Sequence, residues 1–284
     1  MIKKHSTQFP IRFMCKRLCV SKSSYYAWLN HKPSRRELEN EKLSCRIQEI
    51  FNEEKARVGA KRIMKRLKQE GWAVGKRRVA CIMKKLGLRA KAAKKFKATT
   101  NSNHKLPVAP NLLQQNFNAA KPNEKWVSDI TYIATEEGWL YLAAVMDLYS
   151  RKLIGWALSD RMTATLTIDA LQMALWRRKM PQNVIVHSDR GVQYCSAAYQ
   201  QVLAKHGLIC SMSKRGDCYD NAAMESWNHS FKIEAIHGEK FKTRDEAKKQ
   251  VFEYIEVYYN RKRLHSTLGF LSPESFEANK LKVA

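Results

Sequence analysis

The segment Trp126-Val127-Ser128-Asp129-Ile130-Thr131-Tyr132 sets a carboxylate inside an alternating run of β-branched and aromatic residues. Such a run predicts a β-strand, with Asp129 at one edge of a sheet. A second strand, Val184-Ile185-Val186, runs into His187-Ser188-Asp189-Arg190-Gly191, where apolar residues give way to a glycine loop. Asp189 is therefore expected to emerge at the carboxyl end of that strand.

Glu225 lies in a segment with a helical pattern, and Lys232, seven positions later, falls on the same helix face. Three acidic groups gathered from two strands and a helix would raise one another's pKa and destabilise the fold. A divalent cation removes that conflict, and Mg²⁺ suits carboxylate oxygens that leave room for water. Two ions about 3.5–4 Å apart hold the attacking and leaving oxygens of a displacement at phosphorus. The pattern predicts two Mg²⁺ ions on the catalytic residues Asp129, Asp189 and Glu225, with Lys232 facing the phosphate backbone of DNA.

The spacing of these residues resembles the acidic triad (DDE) of retroviral-integrase-type transposases. Thirty-five residues separate Asp189 from Glu225, and a lysine follows two helical turns later. Over nearly its whole length the chain resembles the catalytic, OrfB-type transposase of a bacterial insertion sequence. The segments that carry the resemblance are Asn123-Glu124-Lys125-Trp126, Val145-Met146-Asp147-Leu148-Tyr149-Ser150-Arg151, His187-Ser188-Asp189-Arg190-Gly191-Val192-Gln193-Tyr194, Asp220-Asn221-Ala222-Ala223-Met224-Glu225-Ser226 and Tyr259-Asn260-Arg261-Lys262-Arg263-Leu264-His265-Ser266-Thr267-Leu268-Gly269.

The resemblance implies a fold, an activity and a set of partners. The fold is α/β, a ribonuclease-H-like mixed sheet in which the first and fourth strands are neighbours. The activity is Mg²⁺-dependent polynucleotidyl transfer, with Mn²⁺ as a substitute, that cuts insertion-sequence ends and joins the 3′-hydroxyl to another strand. The partners are double-stranded DNA, further copies of the chain on that DNA, and an upstream-reading-frame protein as fusion or partner.

The charge of the chain is strongly positive and unevenly distributed. Its 52 Lys and Arg against 26 Asp and Glu give a net charge of +26, which is typical of proteins that approach a polyanion. Residues 1–100 hold 28 Lys and Arg against seven Glu and no Asp, whereas the remainder holds 24 against 19. This asymmetry favours an amino-terminal part that binds nucleic acid and a carboxyl-terminal part that acts on it.

The amino-terminal residues predict small helical units. Ser21 is a plausible N-cap for a short aromatic helix, so residues 1–33 resemble a helix-turn-helix fragment. Residues 43–89 predict three amphipathic helices, and the basic third helix has the geometry of a recognition helix in the major groove. Residues 90–122, with three prolines, predict a basic linker. The predicted DNA contacts are Lys76, Arg77, Arg78, Lys84 and Lys85.

Residues 123–284 predict the catalytic core, a carboxyl-terminal helix and a basic tail. Runs at 138–147 and 151–158 predict an antiparallel meander with the Asp129 strand. The strand 184–186 is expected to pair beside that strand. A helix opened by Thr163 is predicted to bury Leu166, Ala170, Met173, Ala174 and Trp176.

Several residues near these motifs have two interpretations. Asp147 competes as a metal ligand, but a turn residue or a partner of a ligand is favoured. His187 is favoured as a structural histidine over one that orients a ligand or water. The loop 214–219 is expected to close over DNA. Arg261, Arg263 and His265 are interpreted as a patch that contacts the DNA backbone or caps a helix.

The seven cysteines are scattered and odd in number, which favours reduced and mostly buried thiols. Cys15 and Cys19 invite comparison with a zinc domain, but neither a helical His pair nor a second Cys pair accompanies them. The chain has no apolar run of about 18 residues and no signal-peptide core, so a cytoplasmic protein that does not contact membranes is expected.

Two other functions compete with the transposase interpretation. A DNA-binding regulator of transposition without enzymatic activity would use the core as a docking platform and would not nick DNA. A ribonuclease-H-type nuclease acting on RNA–DNA hybrids needs a carboxylate in the first core helix, where the chain offers only Asp169.

Overall fold

The structure is a computed structural model that describes residues 1–91, 107–214 and 218–281. The chain divides into two compact units, Met1–Arg89 and Ala90–Ala284. Each unit has its own hydrophobic core, and each is described separately below.

The first unit is entirely helical. Ser21 caps α2 by accepting a hydrogen bond from the backbone N–H of Ser24, as predicted, and Ser34 and Glu37 form a capping box at the start of α3. One face each of α3, α4 and α5 supplies a shared core that includes Ile47, Ile63 and Val79. The helices are a 3₁₀ turn Ile2–His5, α1 (Ile11–Arg17), α2 (Lys22–Leu29), α3 (Arg35–Glu53), α4 (Ala60–Gln69) and α5 (Lys76–Lys85).

The second unit is built on a five-stranded mixed sheet with the strand order β3-β2-β1-β4-β5. The first three strands form the predicted antiparallel meander, and β4 and β5 add in parallel on the other side of β1. Together with the helices on both faces, this arrangement confirms the predicted α/β mixed-sheet fold. The strands are β1 (Lys125–Thr135), β2 (Gly138–Asp147), β3 (Lys152–Ser159), β4 (Ile185–Ser188) and β5 (Ile209–Met212).

Helices cover both faces of this sheet because successive strand residues alternate between two buried clusters. One cluster joins Val127 and Leu142 to the helices that follow Asn221, and the other joins Trp126 and Val145 to the helices between β3 and β5. The helical segments are α6 (Ala164–Arg177), α7 (Val192–Cys195), α8 (Ala197–Lys205), α9 (Ala222–Phe231), α10 (Arg244–Phe252) and α11 (Pro273–Leu281), π-helical Lys232–Ile236 and Glu253–Tyr259, and 3₁₀ Cys218–Asn221 and Ser266–Leu268.

The part of the predicted linker that the structure describes packs on the second unit. Leu113 is only 1% exposed, the backbone N–H of Leu112 donates to Ser211 Oγ at 2.9 Å, and the Asn111 side chain donates to Asp220 at 2.8 Å. The linker prediction was wrong here. It relied on the charge and the prolines of the segment and overlooked the few apolar residues whose burial is favourable. Residues 92–106, with the predicted linker residues Lys94, Lys95 and Lys97, lie outside the described residues.

Two further predictions are corrected by side-chain burial. Trp176 is 73% exposed, because Leu171, Ala174 and Leu175 complete the buried stripe of α6. Of the six cysteines whose side chains are described, all are free thiols, and three are exposed rather than buried: Cys19, Cys45 and Cys81. Among the described residues, no helix is both long and apolar enough to span a membrane.

Gly155 of β3 lies directly against the backbone of α6. A Cβ atom added there would lie 2.1 Å from the carbonyl oxygen of Ala170 and 2.7 Å from the backbone N of Ala174. Only glycine lets the helix approach this near, so α6 depends on the missing side chain.

Gly155→Ala should therefore destabilise the second unit by about 1–3 kcal/mol or more, since helix backbone must move to admit the methyl group. Thermal unfolding followed by calorimetry measures the effect. Gly59→Ala in the first unit is the control, because a Cβ there has no heavy atom within 4 Å. An equal loss in the two variants would contradict this account of the β3–α6 contact.

Candidate active site beside the paired first and fourth strands

Parallel pairing of β1 with β4 brings Asp129 and Asp189 together. The ladder ends at Val127 opposite His187, and each aspartate lies two residues beyond that pair. Asp129 is in the interior of β1, opposite Ala144 of β2, rather than at a strand end. Asp189 follows the last residue of β4, as predicted. Both aspartates are half-buried.

Hydrogen bonds hold both aspartate side chains. Asp129 Oδ1 accepts the backbone N–H of Ile130 at 2.9 Å, and its Oδ2 accepts the side-chain amide of Asn228 at 2.7 Å. Asp189 Oδ1 accepts the backbone N–H of Gly191 at 2.9 Å. A Cβ atom at Gly191 would approach that same oxygen to 3.0 Å, so the glycine allows the loop to close around the carboxylate.

The electrostatics of the site disfavour a negative charge on Asp129. Burial, and next the charge of Asp189, raise the pKa of Asp129 to about 8, although the Ile130 N–H and Lys232 oppose the shift. The charge of Glu225 adds a smaller effect in the same direction. Two carboxyls that raise a pKa in this way form a site suited to a cation or to a shared proton.

Glu225 lies in the first turn of α9 and is exposed to solvent. Burial raises its pKa above the ordinary value. Within residues 1–91, 107–214 and 218–281, however, no three His, Cys, Asp or Glu side chains stand close enough together to hold a metal ion. The three predicted ligands therefore share one electrostatic environment without forming a three-ligand cluster.

Lys232 immediately follows α9 and begins the π-helical turn. Its Nζ lies 4.5 Å from the centroid of the Tyr132 ring on β1, a cation–π contact. Burial lowers the pKa of Lys232, and the charge of Asp129 opposes that change. Lys232 and Asp129 are thus close enough for the charge of each to shift the pKa of the other, which places the lysine beside the aspartate pair.

His187 and Asp147 have structural partners. His187 is fully buried on β4, and its two ring nitrogens lie 2.9 Å from Ser211 Oγ and 3.2 Å from Ser213 Oγ. Asp147 accepts backbone N–H groups of the turns beside it and lies 3.2 Å from Arg178 at the end of α6. These contacts agree with the structural interpretation of both residues.

Sequence reasoning missed Asn228, the one side chain among the described residues seen to donate to Asp129. It lies three residues after Glu225, and residues three apart are neighbours on a helix surface, so the spacing was a usable signal. Its Oδ1 is buried and has no hydrogen-bond partner within the described part of the chain. An unpaired acceptor beside two carboxylates adds to the attraction of the site for a cation.

The predicted DNA contacts of α5 fall into two groups. Lys76, Arg77, Lys84 and Lys85 are exposed. Arg78 instead donates to Asn40 at 2.8 Å and lies 3.3 Å from Glu39, which ties α5 to α3. Its guanidinium stabilises the helical unit, so its prediction as a DNA contact is not supported by its position.

The predicted basic patch of the tail separates in a similar way. Arg263 is buried in an ion pair with Glu234, whereas Arg261 is exposed near Glu274. Arg263 is buried and lies over the ring of Tyr259 in the π-helical segment 253–259, so its charge is held inside the unit. In the loop 214–219, residues 215–217 lie outside the described residues.

Models of known families match both units. A model described as "Integrase core domain" matches residues 119–218, a second with that description matches residues 225–281, and one described as "HTH-like domain" matches residues 37–96. Together they cover most of the chain and coincide with the sheet, the α9 region and the α3–α5 bundle.

Full-length relatives are also similar. The transposase InsF for insertion sequence IS3A of Escherichia coli (strain K12) is 50% identical over 282 residues, or 99% of this chain and 98% of that protein. The insertion element IS600 uncharacterized 31 kDa protein of Shigella sonnei is 47% identical over 263 residues, or 93% and 97% of the two chains.

Among solved structures, the HTLV-2 integrase catalytic core domain in complex with magnesium is 14% identical, with a TM-score of 0.41 over 56% of this chain and 99% of that chain. The simian T-cell lymphotropic virus intasome in complex with PP2A regulatory subunit B56 gamma has a chain that is 13% identical, with a TM-score of 0.45 over 72% of this chain and 67% of its own length.

The buried His187 makes the stability of the second unit depend on pH. Burial lowers its pKa to about 4, from 6.5 in the unfolded chain. Between these values the unfolded chain binds a proton that the folded chain does not. The contribution of His187 to stability should therefore be fully present above pH 6.5 and fall by about 3 kcal/mol as pH drops toward 4, at 1.36 kcal/mol per unit.

Urea unfolding in EDTA at a series of pH values, compared between the natural chain and His187→Gln, measures this contribution. The substitution removes the titrating ring, so the loss of stability between pH 6.5 and 4 should be smaller in the variant. Identical pH slopes in the two proteins would contradict the assignment.

Proposed function

This chain belongs to the insertion-sequence transposases with an integrase core domain, as its motifs predict, and we propose that it cuts insertion-sequence ends and joins the freed 3′-hydroxyl to another DNA strand. As a DNA transposase, it carries a helix-turn-helix-like unit and a catalytic unit on one chain. A regulator without catalytic activity is not favoured, because the match extends through the whole core.

The pairing of Asp129 with Asp189 is the observation that carries the proposed chemistry. Burial and the mutual repulsion of these carboxyls raise the pKa of Asp129 to about 8, which lowers the stability of the folded chain at neutral pH. Strongly perturbed carboxyls of this kind are concentrated at functional sites. Neighbouring acids on adjacent strands, with an aromatic-backed lysine nearby, suit a reaction at a phosphodiester.

The donor set fits Mg²⁺, with Mn²⁺ as a substitute. Asp129 and Asp189 would hold two ions, and Glu225 would complete one coordination sphere. Their oxygens are hard ligands, and the exposed side of the site leaves room for water and phosphate oxygens. When bound, such ions supply an acidified water and neutralise charge on the phosphoryl group.

The remaining residues of the site orient these groups. Asn228 fixes the rotation of the Asp129 carboxylate, and Gly191 fixes that of Asp189. Lys232 contacts a backbone phosphate near the cut. In the first step a water oxygen forms a bond to phosphorus and the 3′ oxygen of the element end leaves. In the second step that 3′ oxygen attacks another phosphodiester and the 3′ oxygen of that strand leaves, so one phosphorus–oxygen bond replaces another and no nucleotide cofactor is needed.

The helical unit recognises DNA through α5. Lys76, Arg77, Lys84 and Lys85 are exposed on that helix, and they contact backbone phosphates or base edges in the major groove. Further copies of the chain assemble on the two element ends, and an upstream-reading-frame protein acts as fusion or partner.

Asp189→Asn should abolish Mg²⁺-dependent cleavage and joining of an end-bearing duplex, because it removes a charged ligand without changing shape. DNA binding in a gel-shift assay should stay nearly unchanged. Strand mapping of the products on a sequencing gel measures both reactions. Cleavage that survives in the variant would remove the proposed role of Asp189.

Asp169→Asn is the matched control, since Asp169 is an exposed carboxylate on α6. It should retain full activity on the duplex. The same two variants are then given an RNA–DNA hybrid. Cleavage of the hybrid in preference to duplex, with loss in Asp169→Asn, would support the ribonuclease-H-type alternative.

The double substitution Lys84→Gln and Lys85→Gln should weaken binding and flatten its salt dependence by about 2 in the log–log slope, at roughly 0.9 per phosphate neutralised. Binding titrations between low and physiological salt measure the slope. Arg78→Gln is the control, because its guanidinium bonds to α3 and its loss should lower the melting temperature without changing the slope. An unchanged slope in the lysine variant would contradict the assignment.

A further inference from the structure

A buried ion pair fastens the end of the catalytic helix region to the carboxyl-terminal segment. Arg263 Nε and Nη2 donate to the two carboxylate oxygens of Glu234 at 2.8 and 2.9 Å. Both side chains are only 8% exposed. This two-bond arrangement fixes the relative orientation of the groups as well as their separation.

Further neighbours surround the pair, among them His265, whose ring nitrogens lie 3.2 and 3.4 Å from Arg263 Nη1. The hydroxyl of Tyr254 donates to Glu234 Oε2 at 2.9 Å, and Arg263 Nη2 also donates to Ser230 Oγ of α9 at 3.0 Å. The Arg263 guanidinium stacks 5.6 Å from the centroid of the Tyr259 ring. Burial by itself lowers the pKa of Arg263, but Tyr254 and Glu234 hold that pKa above its ordinary value.

Buried pairs of this kind contribute little net stability, because removing two charges from water offsets most of their attraction. Apolar side chains of similar volume would hold the segments together at least as well. The ion pair therefore contributes mainly by fixing the orientation of the segments that it joins.

Glu234 is the middle residue of the π-helical turn Lys232–Ile236. The carbonyl of Lys232 accepts the backbone N–H of His237, five residues later, at 2.7 Å. A widened turn of this kind is rare and is found often at functional sites. The turn begins at Lys232, so whatever holds it open also sets the direction in which that lysine leaves the helix.

Tyr254 belongs to the second π-helical segment, Glu253–Tyr259. The two widened turns thus meet at one carboxylate, which Tyr254 and Arg263 bind from the same carboxyl-terminal part of the chain. Asn260 anchors that part by exchanging two hydrogen bonds of 3.0 Å with the backbone of Leu153 on β3. A continuous set of bonds therefore connects the sheet to the turn that carries Lys232.

We infer that Arg263 is a positioning residue for strand cleavage and joining. Through Glu234 it holds the widened turn, and the turn places the Lys232 ammonium against Tyr132 and toward Asp129, where a DNA phosphate enters. The inference rests on the proposed function for its catalytic consequence. Its structural consequence, the placement of Lys232, is independent of activity.

A double-mutant cycle tests the catalytic consequence. Arg263→Lys keeps the charge but cannot form both bonds to Glu234, so kcat/KM for cleavage of end DNA should fall about tenfold, a coupling typical of residues in contact. The kcat/KM of Lys232→Ala for the same reaction should fall by at least the same factor. The combined variant should be no slower than Lys232→Ala alone, because Arg263 acts through that lysine.

Arg161→Lys is the control, since Arg161 is an exposed arginine of the same unit outside the proposed site, and it should keep full activity. Tyr254→Phe removes one bond to Glu234 while preserving the ring, so it should show a smaller loss of kcat/KM than Arg263→Lys. It serves as the test variant if Arg263→Lys fails to fold. Losses that multiply in the combined variant, with melting temperatures unchanged, would overturn the inference.

Lysine acetylation gives a readout that needs no catalysis. With the full chain and acetic anhydride, peptide mass spectrometry should find Lys232 labelled several-fold faster in Arg263→Lys or Tyr254→Phe than in the natural chain, while Lys84 labels equally in all. Unchanged labelling of Lys232 overturns the inference. If the natural chain does not cleave end DNA but Lys232 is labelled faster in the variants, the proposed function is contradicted and the positioning role of Arg263 is supported.

Discussion

Backbone hydrogen bonds between β1 and β4 hold two carboxylates together against their mutual repulsion. The strands pair over only three residues of each strand, and each aspartate lies two residues beyond the last pair. The sheet must resist this repulsion, and it does so through the second parallel pair, β4 with β5, and through the serines that bind His187. The raised pKa of Asp129 therefore depends in part on the strand order, which places β4 and Asp189 beside β1.

The other parts of the site are supplied from far along the chain. Asn228 reaches Asp129 from α9, about one hundred residues later, and the tail residue Arg263 steadies the turn after that helix. Because each contribution depends on the sheet beneath, the site forms only when the carboxyl-terminal segment has packed.

The strands and the principal helices could be predicted from the sequence, because alternating and helical periodicities report which residues are buried. The pairing of Asp129 with Asp189 was implied by the resemblance to the integrase-type fold. The sequence did not reveal partners that depend on tertiary contact. The two π-helical turns, the docking of residues 107–119 and the buried Arg263 all arise from interactions across long sequence separations. Trp176 shows the limit of periodicity, since one step along α6 separates a core position from a solvent position.

Each outer strand of the sheet is contacted by another segment of the same unit. Along β5, the carbonyl of Pro110 accepts the backbone N–H of Met212, and the backbone N–H of Leu112 bonds to Ser211. Along β3, Asn260 binds the backbone of Leu153. Open strand edges recruit strands from other molecules and lead to aggregates, so these contacts leave fewer free backbone groups for edge-to-edge pairing.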